Sequence, residues 1–198
     1  MNEVTCVLNW IKNHADQYGF NTEKVALTGD SSGGHIVLLA AAVYSSGRSA
    51  EYFRVTVPEL KPGAYTASCP EGSFRWKLLP DTIMAKSLFF LLHRYTFDPE
   101  CRKYSSYDYY MDEDYPRVWF CTSPTDSMLY DHTFRMHEYM REHGIGHEYR
   151  EYKAKAGKLA HVFNILAPDL PESRAANDDM ADFINKAFNR RSDFSAEN

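Results

Sequence analysis

A short run of glycine and serine residues has the spacing that nucleophilic acyl chemistry needs. The run is Gly29-Asp30-Ser31-Ser32-Gly33-Gly34, and its first, third and fifth residues satisfy the pattern G-x-S-x-G. Small residues on both sides of a serine let a strand and a helix approach closely around a sharp turn. The N–H groups at the start of the following helix then face any negative charge that develops beside the serine. The pattern predicts Ser31 as a nucleophile and the N–H of Ser32 as an oxyanion donor.

Two other interpretations of this run are weaker. Ser32 is a competing nucleophile, but shifting the frame by one residue places Asp30 where the first glycine must be. The string also resembles the G-D-S-G-G of chymotrypsin-like proteases, although the second serine interrupts the match. That class places its histidine and its acid before the serine, whereas only His14 precedes Ser31 here. Ser31 is therefore the preferred nucleophile.

An acid and a base follow downstream in the order serine, acid, histidine. The apolar segment at 117–122 and the alternating segment at 147–153 are both predicted strands. Asp126 comes shortly after the first strand, and His161 comes after the second. A carboxylate that orients an imidazole, and an imidazole that takes the serine proton, complete a nucleophilic relay. Asp131 is the rival acid, but it lies at a predicted helix start, where helix capping is the expected role.

Helices and strands alternate along the chain in the way that a parallel α/β sheet requires. The hydrophobic periodicity predicts helices and strands throughout a single domain, and it assigns a solvated loop to the Tyr-rich acidic stretch at 104–115. A small cap-like insertion is predicted around residues 74–112. The predicted helices are 2–18, 35–46, 81–95, 132–143 and 175–189, and the predicted strands are 24–28, 64–68, 117–122 and 147–153.

Three motifs together resemble the hormone-sensitive-lipase-like branch of α/β-hydrolase esterases. The nucleophile motif of that branch, G-D-S-A-G-G, is matched by the run around Ser31 with one serine in place of alanine. Its D-x-x-L-x-D segment is matched from Asp126 to Asp131, and its H-x-F pattern begins at His161. A further likeness lies in the helix segment Trp10-Ile11-Lys12-Asn13, and the resemblance extends from about residue 2 to residue 187.

The resemblance implies an α/β-hydrolase fold, with a parallel sheet flanked by helices, and hydrolysis of short-chain carboxylic esters. It implies the catalytic roles of Ser31, Asp126 and His161, a small-molecule ester as the substrate, and no metal or cofactor. The family also carries an upstream H-G-G-G loop that supplies oxyanion N–H groups. Gly19 is the one glycine before Gly29, so the chain is expected to hold only the C-terminal portion of the fold.

That departure has two expected consequences and leaves two other functions open. With one oxyanion donor, turnover is expected to be low, and the strand at 24–28 becomes an exposed edge that a homodimer or a strand-supplying partner chain is expected to cover.

One alternative function is that of a catalytically silent fragment that serves as a binding or oligomerisation module. A third is a serine peptidase of the prolyl-oligopeptidase type, although that group usually has an aromatic residue at the position of Ser32.

The composition of the chain excludes several classes of protein. The 198 residues carry a formal net charge of −5 with scattered basic residues, which argues against nucleic-acid binding. The longest apolar run, residues 36–44, is too short for a membrane span, and no basic, apolar leader follows Met1, so a cytoplasmic protein is expected. His143 and His147 flank a glycine turn and do not share one helical face, which argues against a metal pair.

Overall fold

The computed structural model describes residues 1–72 and 99–195. The strands are β1 (Ala26–Asp30), β2 (Ala64–Ser68), β3 (Val118–Thr122) and β4 (His147–Glu151). The helices in these ranges are α1 (Asn2–Asn13), α2 (Ala15–Tyr18), α3 (Ser31–Ser45), α4 (Gly47–Phe53), α5 (Pro99–Tyr104), α6 (Tyr107–Tyr110), α7 (Tyr130–Glu142), α8 (Phe163–Leu166) and α9 (Pro171–Ser195). No helix of the described residues is long and apolar enough to cross a bilayer.

The four strands form one parallel sheet in the order β1-β2-β3-β4. Every residue of β2 and β3 is buried, whereas β1 and β4 are half-exposed. The predicted α/β class is therefore confirmed. In the part of the chain that the structure describes, the strand before Ser31 pairs on one side only, with β2, and so lies at an edge of the sheet.

The two faces of the sheet are covered by different helices, as the alternation of side chains along a strand requires. Tyr65, Ala67 and Phe120 point to one face and pack with α3 and α7. Ala64 and Trp119 point to the other face, where they pack with Phe183 and Phe188 of α9. Helix α3 is buried from Val37 to Tyr44, which confirms the buried helix that its apolar sequence predicts.

The prediction of a solvated loop at 104–115 is wrong. This stretch contains the end of α5 and the whole of α6, and Tyr107, Tyr110 and Tyr115 are all buried. A tyrosine can pack its ring in a core when its hydroxyl finds a partner, and the hydroxyl of Tyr115 donates to the Leu38 carbonyl at 2.8 Å. The predicted helix at 81–95 and most of the predicted insertion at 74–112 lie outside the described residues.

Two histidine assignments have opposite outcomes. His35 is buried in the first turns of α3, as its position after the serine run predicts. The helical pattern of residues 132–143 predicts His132 on the helix surface, but His132 is fully buried, because this face of α7 packs against the sheet and the segment after β2. The burial of His132 is not predicted by the sequence, because α7 is mostly polar and has only a narrow apolar stripe.

The turn between β1 and α3 has no connecting loop. Strand β1 ends at Asp30 and α3 begins at Ser31, whose φ of 52° lies in the left-handed region that residues with a Cβ rarely adopt. A Cβ built on Gly29 would lie 2.5 Å from the carbonyl oxygen of Gly33. The first glycine of G-x-S-x-G is thus a packing requirement, because the strand and the first turn of the helix touch at Gly29.

We expect Gly29→Ala to destabilise the fold and Gly33→Ala to leave it intact. A Cβ at Gly29 meets backbone atoms that cannot move separately, whereas a Cβ at Gly33 has no neighbour within 4 Å. Overpacking of this kind costs about 3 kcal/mol, while glycine to alanine inside a helix stabilises by up to about 1 kcal/mol. Urea unfolding of the two variants measures both effects, and equal midpoints would contradict the packing account.

Candidate functional site

The candidate site lies at the carboxyl ends of the four strands. Ser31 follows β1 directly, Cys69 follows β2 directly, and loops after β3 and β4 carry Asp126 and His161. In a parallel sheet all these ends meet at one edge, which is where open α/β sheets bind their ligands. Register brings the first two elements side by side, since Asp30 pairs with Ser68.

Asp126 and His161 form a direct hydrogen bond. The Nδ1 of His161 lies 2.8 Å from Oδ2 of Asp126, and the carboxylate is buried. Its other oxygen, Oδ1, accepts the backbone N–H groups of Met128 at 2.8 Å and Leu129 at 3.1 Å. Both oxygens of the carboxylate are thereby fixed, and the imidazole is held by one of its two nitrogens.

These bonds determine the charge state of Asp126. Burial would raise the pKa of this carboxyl, but the hydrogen bond and charge of His161 and the two backbone N–H groups outweigh it. The pKa of Asp126 is therefore lowered. Asp126 is therefore a carboxylate at neutral pH. The rival Asp131 is exposed in the first turn of α7, where the N-cap residue is Leu129, so its expected capping role is wrong.

Ser31 lies at the same edge, but its hydroxyl does not bond to His161 in this structure. Nε2 of His161 is buried and has no hydrogen-bond partner among the described residues. The carbonyl of Ser31 accepts the N–H of Glu71 at 3.3 Å, which ties the turn to the segment after β2. Ser32 is exposed in the first turn of α3, where backbone N–H groups have no partner within the helix.

Two residues that the sequence did not single out hold the loops of Asp126 and His161 in place. The hydroxyl of Thr125 donates to the carbonyl of Leu159 and accepts its N–H, both at 3.0 Å, so the two loops are joined one residue before Asp126. The side chain of Asn164 donates to Ser68 at 3.0 Å and to Asn177 on α9 at 2.9 Å. No local pattern marks either residue, because each partner is distant in sequence.

The same edge contains the one group of metal-type donors in the described ranges. Donor atoms of Cys69, Asp126 and His161 all lie within 4.8 Å of one another. The hydrogen bond between Asp126 and His161 already joins two of these atoms, and burial raises the pKa of the Cys69 thiol well above its usual range. Since the thiolate is the form of cysteine that binds metal, a thiol that keeps its proton beside a bonded carboxylate and imidazole argues against metal binding.

A cavity of about 320 Å³ lies away from this edge. Its lining includes Gly63 and Tyr65 at the start of β2 and Pro116 and Arg117 just before β3, which places it at the amino ends of the strands. The cavity therefore lies at the opposite end of the sheet from Asp126 and His161.

Comparisons with known proteins identify the fold of the chain. A family model described as BD-FAE matches residues 1–61. Esterase B from Lactobacillus rhamnosis superposes with a TM-score of 0.84 at 24% identity, covering 100% of this chain and 63% of that protein. The chain has the α/β-hydrolase fold. Esterase LipW from Mycobacterium marinum is a more distant α/β-hydrolase, with a TM-score of 0.67 and 18% identity over 92% of this chain and 55% of LipW.

The likeness to these α/β-hydrolases is one of fold, and it is partial in length. The chain spans less than two thirds of esterase B, and no H-G-G-G sequence occurs in it. No curated protein is similar enough to count as a match. The hormone-sensitive-lipase-like resemblance of the sequence is consistent with esterases of this fold being its structural neighbours.

The lowered pKa of Asp126 predicts a specific loss of stability in acid. The carboxylate contribution is complete above the ordinary pKa of 3.8 and is lost as the pH falls through the lower folded value. We expect the free energy of unfolding to fall less steeply between about pH 5 and pH 3 in Asp126→Asn than in the parent chain. Asp131→Asn, which changes an exposed carboxylate, is the matched control. Identical slopes for the parent chain and Asp126→Asn would contradict this assignment.

Proposed function

We propose that this chain carries the Ser31–His161–Asp126 machinery of a serine carboxylic ester hydrolase. The observation that supports it most is the 2.8 Å hydrogen bond between His161 and the buried Asp126. It lies at the edge of the sheet where Ser31 occupies a strained turn at a helix start. A nucleophile, a base and an orienting acid in these positions are the parts that acyl transfer needs.

Each residue has a defined role in the proposed reaction. The Nδ1–H of His161 donates to Asp126, which leaves Nε2 as the basic nitrogen. Nε2 takes the proton of Ser31 as Oγ attacks the acyl carbon, and then delivers it to the departing alcohol. Water repeats the sequence on the acyl-enzyme and releases the acid. Catalytic hydrogen bonds are often loose before substrate binds, so we expect the bond from Ser31 to Nε2 to form with substrate in place.

The N–H of Ser32 is the proposed oxyanion donor, and short-chain acyl esters are the proposed substrates. An esterase needs more than one such donor, and losing one typically costs about 10²–10³ in turnover. We therefore propose that this chain alone turns over slowly, with the chemical step impaired more than binding. The short-chain proposal is supported by esterase B, whose structure was determined with a C4-C4 SN3 tributyrin phosphonate and has 23% identity to this chain.

Hydrolysis of p-nitrophenyl butyrate by purified variants tests the proposal. Ser31→Ala, His161→Ala and Asp126→Ala are each expected to lower kcat/KM by more than about 10³, because the three residues act as one unit. Ser32→Ala is the matched control for the rival nucleophile, since it keeps the backbone N–H, and it should retain most of the activity. Activity that survives in Ser31→Ala and disappears in Ser32→Ala would overturn the assignment of the nucleophile.

A second candidate function, an oligomerisation module, is favoured by the exposed edge at β1. Half of the hydrogen-bonding groups of this strand face away from β2, and no charged side chain or proline lies between Ala26 and Gly29. Val7 is 57% exposed and Trp10 is 45% exposed on α1. Two copies related by a two-fold axis could pair their β1 edges antiparallel and cover this strand. No comparable observation favours the peptidase alternative.

We expect the isolated 198-residue chain to be a dimer at micromolar concentration. Light scattering coupled to size exclusion measures its mass, and Thr28→Pro is the test variant, because proline removes an N–H and blocks pairing at an edge. Thr28→Ser, which keeps the N–H, is the control. A monomeric parent chain would contradict pairing between two copies, and so would a dimer that the proline leaves intact.

A further inference from the structure

Cys69 occupies a fixed position beside the acid and the base. It follows β2 with a φ of 47°, in the left-handed region, and it is fully buried. Its N–H donates to the carbonyl of Cys121 at 2.7 Å, and the next carbonyl, that of Pro70, accepts the hydroxyl of Thr133 at 3.0 Å. Backbone bonds on both sides of the cysteine therefore hold its strained conformation and fix where the sulfur lies.

The sulfur lies between the two loops that carry the site. Its distance to donor atoms of both Asp126 and His161 is within 4.8 Å. The side chain also packs with Leu159, Val162 and Phe163, which flank His161. One thiol thus contacts the segment around the base and faces the carboxylate of the acid.

The environment keeps this thiol protonated. Burial raises the pKa of Cys69, and the nearby Cys121 and Asp126 raise it further, while the backbone N–H of Val162 acts in the opposite direction. A thiol that keeps its proton beside a carboxylate can donate a hydrogen bond to it, and it is unsuited to act as a nucleophile. The titratable groups that face Cys69 are Cys121, Asp126 and His161.

We propose that Cys69 is a positioning residue of the acid–base pair, whose S–H donates to the Asp126 carboxylate and whose sulfur supports the turn after His161. Asp126 then receives four donors: the imidazole of His161, the N–H groups of Met128 and Leu129, and the thiol. Each additional donor spreads the negative charge of the carboxylate, so Asp126 holds the proton on His161 less tightly. The thiol thereby adjusts the basicity of His161 without touching substrate.

The test measures the protonation of His161 directly, in Cys69→Ala and Cys69→Ser. All three side chains carry a Cβ, so the strain at this position is common to them, and only alanine lacks a donor. NMR titration of the His161 ring is expected to show a proton affinity about threefold higher in Cys69→Ala, because a weak hydrogen bond to its partner carboxylate is lost. Cys69→Ser should titrate like the parent chain, whereas a purely structural role would lower the melting temperature without separating the two variants.

This inference rests on the proposed function only for its kinetic consequence. If the chain is an esterase, the acid limb of kcat/KM should move to higher pH in Cys69→Ala and return in Cys69→Ser. The NMR titration needs no turnover, so an inactive chain would refute the esterase and leave the test of Cys69 standing. Equal His161 titration in all three proteins, or equal shifts in both variants, would overturn the proposal.

A second measurement covers the case in which Cys69→Ala does not fold. The S–H stretching band of the parent chain can be assigned to Cys69 by its loss in Cys69→Ser. We expect this band at lower frequency than that of an unbonded thiol, because donation to a carboxylate weakens the S–H bond. A band at the frequency of an unbonded thiol would contradict the proposed hydrogen bond.

Discussion

The hydrogen bond between Asp126 and His161 depends on two loops that the sheet alone does not bring together. Each loop leaves a different strand, and Asp126 and His161 lie 35 positions apart in the sequence, so chain connectivity does not bring them into contact. The loops meet because Thr125 bonds twice to Leu159, Asn164 bonds to Ser68 and to α9, and both oxygens of Asp126 are occupied. Burying a carboxylate without these donors would cost folding free energy. The pairing of Asp126 with His161 therefore depends on the hydrogen bonds around it.

The turn at Ser31 obeys a different constraint, which is steric. Direct passage from β1 to α3 presses the first turn of the helix onto Gly29 and forces a positive φ on Ser31. Such strain persists only where the neighbouring structure fixes it, here through the bond from Glu71 to the carbonyl of Ser31 and the packing of Gly34 against Pro70 and Ala67. The segment after β2 therefore supports the turn at Ser31 on one side, and on the other it brings Cys69 next to Asp126 and His161.

Much of this could be predicted from local patterns. The glycine pattern around Ser31 indicates a close approach of strand and helix. The apolar runs predict the bounds of β2 and β3 to within a residue or two. Asp126 could be preferred over Asp131 because it lies closer to the end of its strand. Strand β1 lies two residues further along the chain than predicted. Gly29 and Asp30 therefore belong to the strand and not to a turn.

Other features could not be predicted, because they depend on partners far apart in sequence. Cys69 and Thr125 belong to no motif, and they gain roles only when β2, β3 and the loop at 152–162 meet at one edge. The Tyr-rich stretch is polar by composition, yet Tyr115 enters the core because its hydroxyl bonds to the carbonyl of Leu38. Hydrophobic periodicity cannot detect such bonds, since they join elements with no local spacing relation.

We propose that Ser31, and no other residue, is made nucleophilic by the paired His161 and Asp126. Mass-spectrometric mapping of the chain after reaction with a fluorophosphonate locates such a residue, because the reagent marks an activated serine even when turnover is slow. We expect a single adduct, on Ser31, that is lost in His161→Ala. An adduct on Ser32 or on another residue, or no adduct on a folded chain, would contradict it.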